Sequence, residues 1–185
     1  MLPEISLNVL DIAQNSIRAE ADCIEISVEI NTIADTITVL VKDDGCGMSE
    51  EQVAHVIDPF FTTRSTRKIG LGVPFFRMAA LITGGTFEIN SEISVGTEVK
   101  AIFVLSHIDR MPLGDINSTI HTLITYNPDI DFVYTYKYDG ASFTLDTRQM
   151  REILGGVPLD EPEVSEYIKE YLEENKKETD NGAQL

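Results

Sequence analysis

Residues 36–48 read TITVLVKDDGCGM. Ile37, Val39 and Val41 alternate with their neighbours, the period of a half-buried strand. The strand then runs straight into an acid and two glycines. Asp43 would sit at the sheet edge, with a carboxylate able to accept two N–H bonds. Gly45 and Gly47 would let the backbone bend and approach a ligand closely. Taken alone, D-x-G-x-G also fits an ordinary turn.

Upstream, IEISVEI (24–30) sets Ile24, Ile26, Val28 and Ile30 against Glu25, Ser27 and Glu29. With the turn NTIADT it predicts an antiparallel hairpin. Before it, Asn8, Asp11, Asn15 and Arg18 are spaced to form one polar stripe of a helix. Val9, Leu10, Ile12, Ala13 and Ile17 form its apolar side. A surface helix with its wet face outward has the same spacing.

Downstream, Ser49 is placed to cap a short helix, with Gln52 in the capping-box position. VPFFRMAALITGG (73–85) predicts another helix, with Pro74 in its first turn and Gly84-Gly85 at its end. TFEIN (86–90) and TEVKAIFVL (97–105) predict a second hairpin. Helices and strands in segregated runs indicate an α+β two-layer sandwich, a mostly antiparallel sheet with helices on one face.

Between the halves lies DPFFTTRSTRKIGLG (58–72). The chain carries a formal net charge of -17 and only 14 Lys and Arg, yet Arg64, Arg67 and Lys68 cluster here. They adjoin Phe60 and Phe61, Thr62 and Thr63, and the run Gly70, Leu71, Gly72. Glycine-rich backbone opening a helix exposes N–H groups that favour phosphate, and cations beside it offset repulsion of an anion. A flexible turn with solvated charges fits the same residues.

The acidic balance argues against nucleic acid, whose phosphates need a basic footprint. No apolar run reaches the ~20 residues of a membrane helix. No signal peptide is evident, and a cytoplasmic location is expected. Cys23 and Cys46 make no disulfide framework and lack metal-ligand spacing.

In chain order the motifs are D-x-x-x-N on a helix, D-x-G-x-G after a strand, PFFTT, a basic loop, GLG opening a helix, and S-x-x-x-x-G-T before a strand. This arrangement resembles the ATP-binding domain (Bergerat fold) shared by gyrase-type topoisomerases, the heat-shock chaperone of that class, histidine kinases and mismatch-repair ATPases. PFFTT makes the histidine-kinase version the nearest. The resemblance covers roughly residues 1–105. It implies ATP and Mg²⁺ as cofactors, with Asn15 on the metal and Asp43 on the adenine amino group. It implies Gly45 and Gly47 shaping the base pocket, with Gly96 and Thr97 supporting the aspartate. It implies Gly70, Leu71 and Gly72 over the phosphates, with Thr62 and Thr63 near them. Arg64, Arg67 and Lys68 become lid cations, one of which could stabilise transferred charge. Where the ATPases of this superfamily have a basic glutamate, this chain has Asp11, one methylene shorter.

None of His55, His107 and His121 opens a phosphoacceptor motif, so self-phosphorylation is not expected. The expectation is a standalone domain over 1–108, acting on a separate partner protein as a kinase, as a slow ATPase, or as an ATP-gated switch. A small α/β extension of no readable role follows over 109–174. Residues 159–185 carry nine acids against three bases, PEVSEYIKEYLEEN (162–175) reads as a final helix, and the terminal stretch over 175–185 is expected to be without structure.

Overall fold

The computed structural model describes residues 4–57 and 72–185. Its elements run α1 (Ile5–Arg18), β1 (Cys23–Asn31), β2 (Thr36–Asp43), α2 (Glu50–Val56), α3 (Gly72–Ile82), β3 (Thr86–Glu92) and β4 (Gly96–Val104). Then follow α4 (Ile116–Tyr126), β5 (Asp131–Tyr138), β6 (Ala141–Asp146), α5 (Thr147–Ile153) and α6 (Pro162–Asp180). All six strands lie in one sheet, in the order β3-β4-β2-β1-β5-β6.

The alternation seen in the sequence sorts the two faces of this sheet. Ile24, Ile26, Val28 and Ile30 are buried, as are Ile37, Val39 and Val41 in the neighbouring strand. On the opposite face Glu25 meets Lys42 at 3.8 Å and Glu29 meets Lys137 at 3.6 Å, half-exposed pairs that contribute little. The helices cover the apolar face: α1 and α3 over β2, β3 and β4, and α5 and α6 over β5 and β6. Burying each large aliphatic side chain here contributes about 1.5–3 kcal/mol before entropy is counted.

Local signals hold where they were strongest. Ser49 accepts from the Gln52 backbone N–H while Gln52 accepts from Ser49, a complete capping box. The Asp139-Gly140 turn joins β5 to β6, with Asp139 at φ 50°.

The strands of the extension join the main sheet: β5 pairs in parallel with β1, from Cys23 opposite Asp131 to Ile30 opposite Tyr138. Among the described residues that is the one parallel pairing, the others being antiparallel. The chain also stays helical through Asp180 rather than losing structure at 175. Asp180 is 3% exposed, accepting from the Tyr136 hydroxyl at 2.9 Å and from Lys176 at 2.6 Å. A buried carboxylate with two such donors anchors the last turn.

Candidate functional site

Asp43 ends β2, where the register sets it opposite Thr97 of β4, and Thr97 opposite Ser91 of β3. Three strands thus present one polar row at the same end of the sheet. Asp43 is 9% exposed. Its Oδ1 accepts from the backbone N–H of Gly45 at 3.0 Å and of Thr97 at 3.2 Å. Its Oδ2 accepts from the Ser16 hydroxyl at 2.5 Å. Three donors hold the carboxylate in one orientation.

The loop after Asp43 is tied on both sides. Asp44 Oδ1 accepts from the Asp22 and Cys23 backbone N–H groups, each at 2.9 Å. The Cys46 N–H donates to the Ala19 carbonyl at 2.9 Å, and the Cys46 carbonyl accepts from Ser94 at 2.8 Å. Gly96, at φ 131°, brings its backbone so close to the Asp43 carbonyl that a Cβ there would overlap it. Only glycine fits that combination of dihedral and contact.

Ser91 and Thr97 interlock rather than reach for Asp43. Their hydroxyls are 2.8 Å apart, and the Ser91 oxygen also accepts from the Met48 N–H at 2.8 Å. Thr97 supports the aspartate through its backbone, with its hydroxyl engaged elsewhere.

These residues open onto a pocket of about 330 Å³ between α1 and the sheet. Asn15, Ser16, Arg18, Asp43, Gly47 and Thr97 supply its polar lining, and Ile12, Val41, Val73, Ile89 and Val99 much of its apolar wall. An apolar cleft with a few fixed polar groups is the usual form of a small-molecule site. Arg18 donates to Asn15 Oδ1 at 3.0 Å.

Asp11 lies one turn before Asn15 on α1. Among the described residues its Oδ2 is buried without a hydrogen-bond partner, as is Asn8 Oδ1 three residues earlier. A Cβ on Gly72, the first residue of α3, would overlap the Asp11 carboxylate. The glycine therefore lets the start of α3 rest directly on that side chain.

Of the residues singled out in the sequence, Asn15, Asp43, Gly47 and Thr97 line this pocket. Gly45 and Gly96 brace Asp43, and Asp11 and Gly72 meet beside α1. Thr62, Thr63, Arg64, Arg67, Lys68, Gly70 and Leu71 lie outside the described residues. Ser16 escaped the sequence reading. Its spacing of four from Ile12, on the core side of α1, was the available signal. Asn8 also differs from its expected wet face, being 1% exposed. The reason is that α1 is flanked by α3 and α4, so both its sides are covered.

Among the described residues no cluster of three acidic, His or Cys side chains could hold a metal, and no helix is long and apolar enough to cross a membrane. A lone asparagine oxygen suits Mg²⁺ carried in by phosphates, since that ion keeps several waters.

The family model described as "Histidine kinase-, DNA gyrase B-, and HSP90-like ATPase" matches residues 4–107. Sporulation kinase D of Bacillus subtilis is 29% identical over 98 residues, covering 53% of this chain and 19% of that protein. Sensor histidine kinase YvrG of the same organism is 29% identical over 93 residues, covering 48% of this chain and 16% of that protein. The chain thus spans less than a fifth of the length of these relatives. The structure of the Aquifex aeolicus MutL ATPase domain complexed with ADP superposes with a TM-score of 0.53 at 14% identity, covering 100% of both chains. That likeness is one of fold.

Proposed function

Because the chain belongs to the family of histidine kinase-, DNA gyrase B- and HSP90-like ATPases, we propose that its pocket binds Mg-ATP and that the nucleotide serves to phosphorylate or regulate a separate partner protein. The observation that carries this reading is the Asp43 carboxylate, fixed by three donors at the wall of an apolar pocket. Such an acceptor fits the amino group of adenine, with the ring against the apolar wall. Asn15, on the same pocket, is the residue that would hold Mg²⁺, and the ion would offset the charge of the phosphates. Arg18 gives the pocket a cation in a chain of formal net charge -17. The lid roles of Thr62, Thr63, Arg64, Arg67, Lys68, Gly70 and Leu71 enter on sequence grounds alone.

Hydrolysis is the second reading, and Asp11 favours it. Its Oδ2 has no hydrogen-bond partner among the described residues and lies one helical turn from Asn15, the placement a general base for water would need. Incubation with γ-labelled ATP and Mg²⁺, with and without cell extract, separates the cases. Label on one extract protein supports trans-phosphorylation, and free phosphate supports the ATPase. Binding with neither leaves an ATP-gated switch. Absence of ATP binding overturns the site.

A further inference from the structure

The outer edge of β6 is unpaired among the described residues, because β6 ends the strand order. The two-residue turn makes Tyr138 and Ala141 a hydrogen-bonded pair, so by alternation Phe143 and Leu145 direct their amides to β5. Ser142 and Thr144 therefore turn theirs outward. Beside this edge runs a groove of about 200 Å³ between β6, α5 and α6, its floor including Leu145, Met150, Tyr167 and Tyr171. Ile153 on its rim is 84% exposed and Tyr167 is 51% exposed, large apolar surfaces left facing water.

The rim is acidic. Glu163, Glu170 and Glu174 flank the two tyrosines at helical spacings of three and four, and all three are exposed. The cations of α5 are already engaged, Arg148 by Asp146 through contacts of 2.9 and 2.7 Å and Arg151 by Asp131. A strand edge unpaired among the described residues, an apolar trough beside it and an excess of negative charge around it describe a docking surface for one kind of chain. We propose that β6 accepts an extended, basic segment of a partner protein as a seventh strand, its alternate apolar side chains in the groove and its Lys or Arg against the α6 glutamates. The surface lies in the C-terminal half and does not rest on the nucleotide reading. A second copy of this chain is disfavoured as occupant, since it would bring its own acidic rim against this one.

The test is a titration of the isotope-labelled full chain, followed by NMR and amide exchange. The probe is a short synthetic peptide in which valine alternates with lysine. The expected result is slowing of Ser142 and Thr144 amide exchange by about tenfold or more, with shifts at Tyr167 and Tyr171 and weakening as salt rises. Controls are a valine–glutamate peptide and a peptide of unchanged charge with proline for valine; neither should bind. Thr144→Pro removes one outward N–H and should abolish binding. Glu170→Lys, an exposed change that leaves the strand intact, should weaken binding several-fold. The proposal is overturned if the lysine peptide shifts residues elsewhere, if the proline peptide binds equally, or if Glu170→Lys has no effect. Sedimentation showing a dimer that buries β6 without peptide would overturn it too.

Discussion

The Ser16 hydroxyl donates to Asp43 Oδ2 at 2.5 Å, joining α1 to the end of β2 across 27 residues of sequence. The bond fixes the carboxylate between a helix and a strand that are otherwise held together by apolar contact. If Asp43 is the base acceptor, Asp43→Asn replaces one accepting oxygen with a donor that opposes an amino group. A lost hydrogen bond to a charged group is worth about 1.5–3 kcal/mol, so ATP affinity should fall about 10- to 150-fold. Calorimetric titration checks this, and wild-type affinity in the variant would remove the site assignment. Ser16→Ala should instead lower folding stability by about 1–2 kcal/mol and leave the Gly45 and Thr97 amides on Oδ1.

Asn15 Oδ1 already accepts from Arg18, which lies on the pocket wall. Asn15→Ala takes away the oxygen offered to Mg²⁺ and the anchor of the guanidinium. ATP binding in this variant should lose its dependence on Mg²⁺. A metal titration matching wild type would rule Asn15 out as ligand.

How far these residues could be read from sequence depended on what covers them. Asp43 was legible because a period-two strand fixes which way its last residue points. Ser16 and Asn8 were not, because their burial depends on β2, α3 and α4, which come from distant parts of the chain. The β1–β5 pairing was hidden for the same reason: 99 residues separate the end of β1 from the start of β5, and no local pattern encodes a parallel neighbour. Position misled at the C-terminus. The last ten residues resemble any frayed chain end, although Lys176 and Asp180 at i and i+4 form a helical pair.

Gly72 sits where any side chain would strike the Asp11 carboxylate. Gly72→Ala should therefore destabilise the fold by about 1–3 kcal/mol, the usual cost of overpacking a close contact. Pairing it with Asp11→Ala should restore part of that loss, because the second change makes room for the first. Thermal unfolding of the single and double variants measures the coupling, and strict additivity would contradict the contact. Asp11→Asn tests the chemistry separately. It should spare nucleotide binding and stop any hydrolysis that the wild type performs.

Asp180 and Tyr136 predict a stability profile with two limits. Burial pushes the Asp180 carboxyl up, but hydrogen bonds from Lys176 and Tyr136 outweigh it and hold the group below the usual carboxylate range. A depressed folded value means the stabilisation is present above the unfolded pKa of about 3.9 and is lost as pH falls through the lower folded one. Tyr136 shifts the other way. Burial and its bond to Asp180 raise the phenol far above its ordinary value. Its contribution is present below about pH 10 and is lost as pH climbs beyond that. Asp180→Asn keeps an acceptor for Tyr136 but removes the partner of Lys176, and should cost about 1–3 kcal/mol at pH 7. Urea unfolding of wild type and variant at neutral pH and near pH 3 reads the difference. The gap should be wide at pH 7 and narrow in acid, and a gap independent of pH would exclude the charged carboxylate as its source.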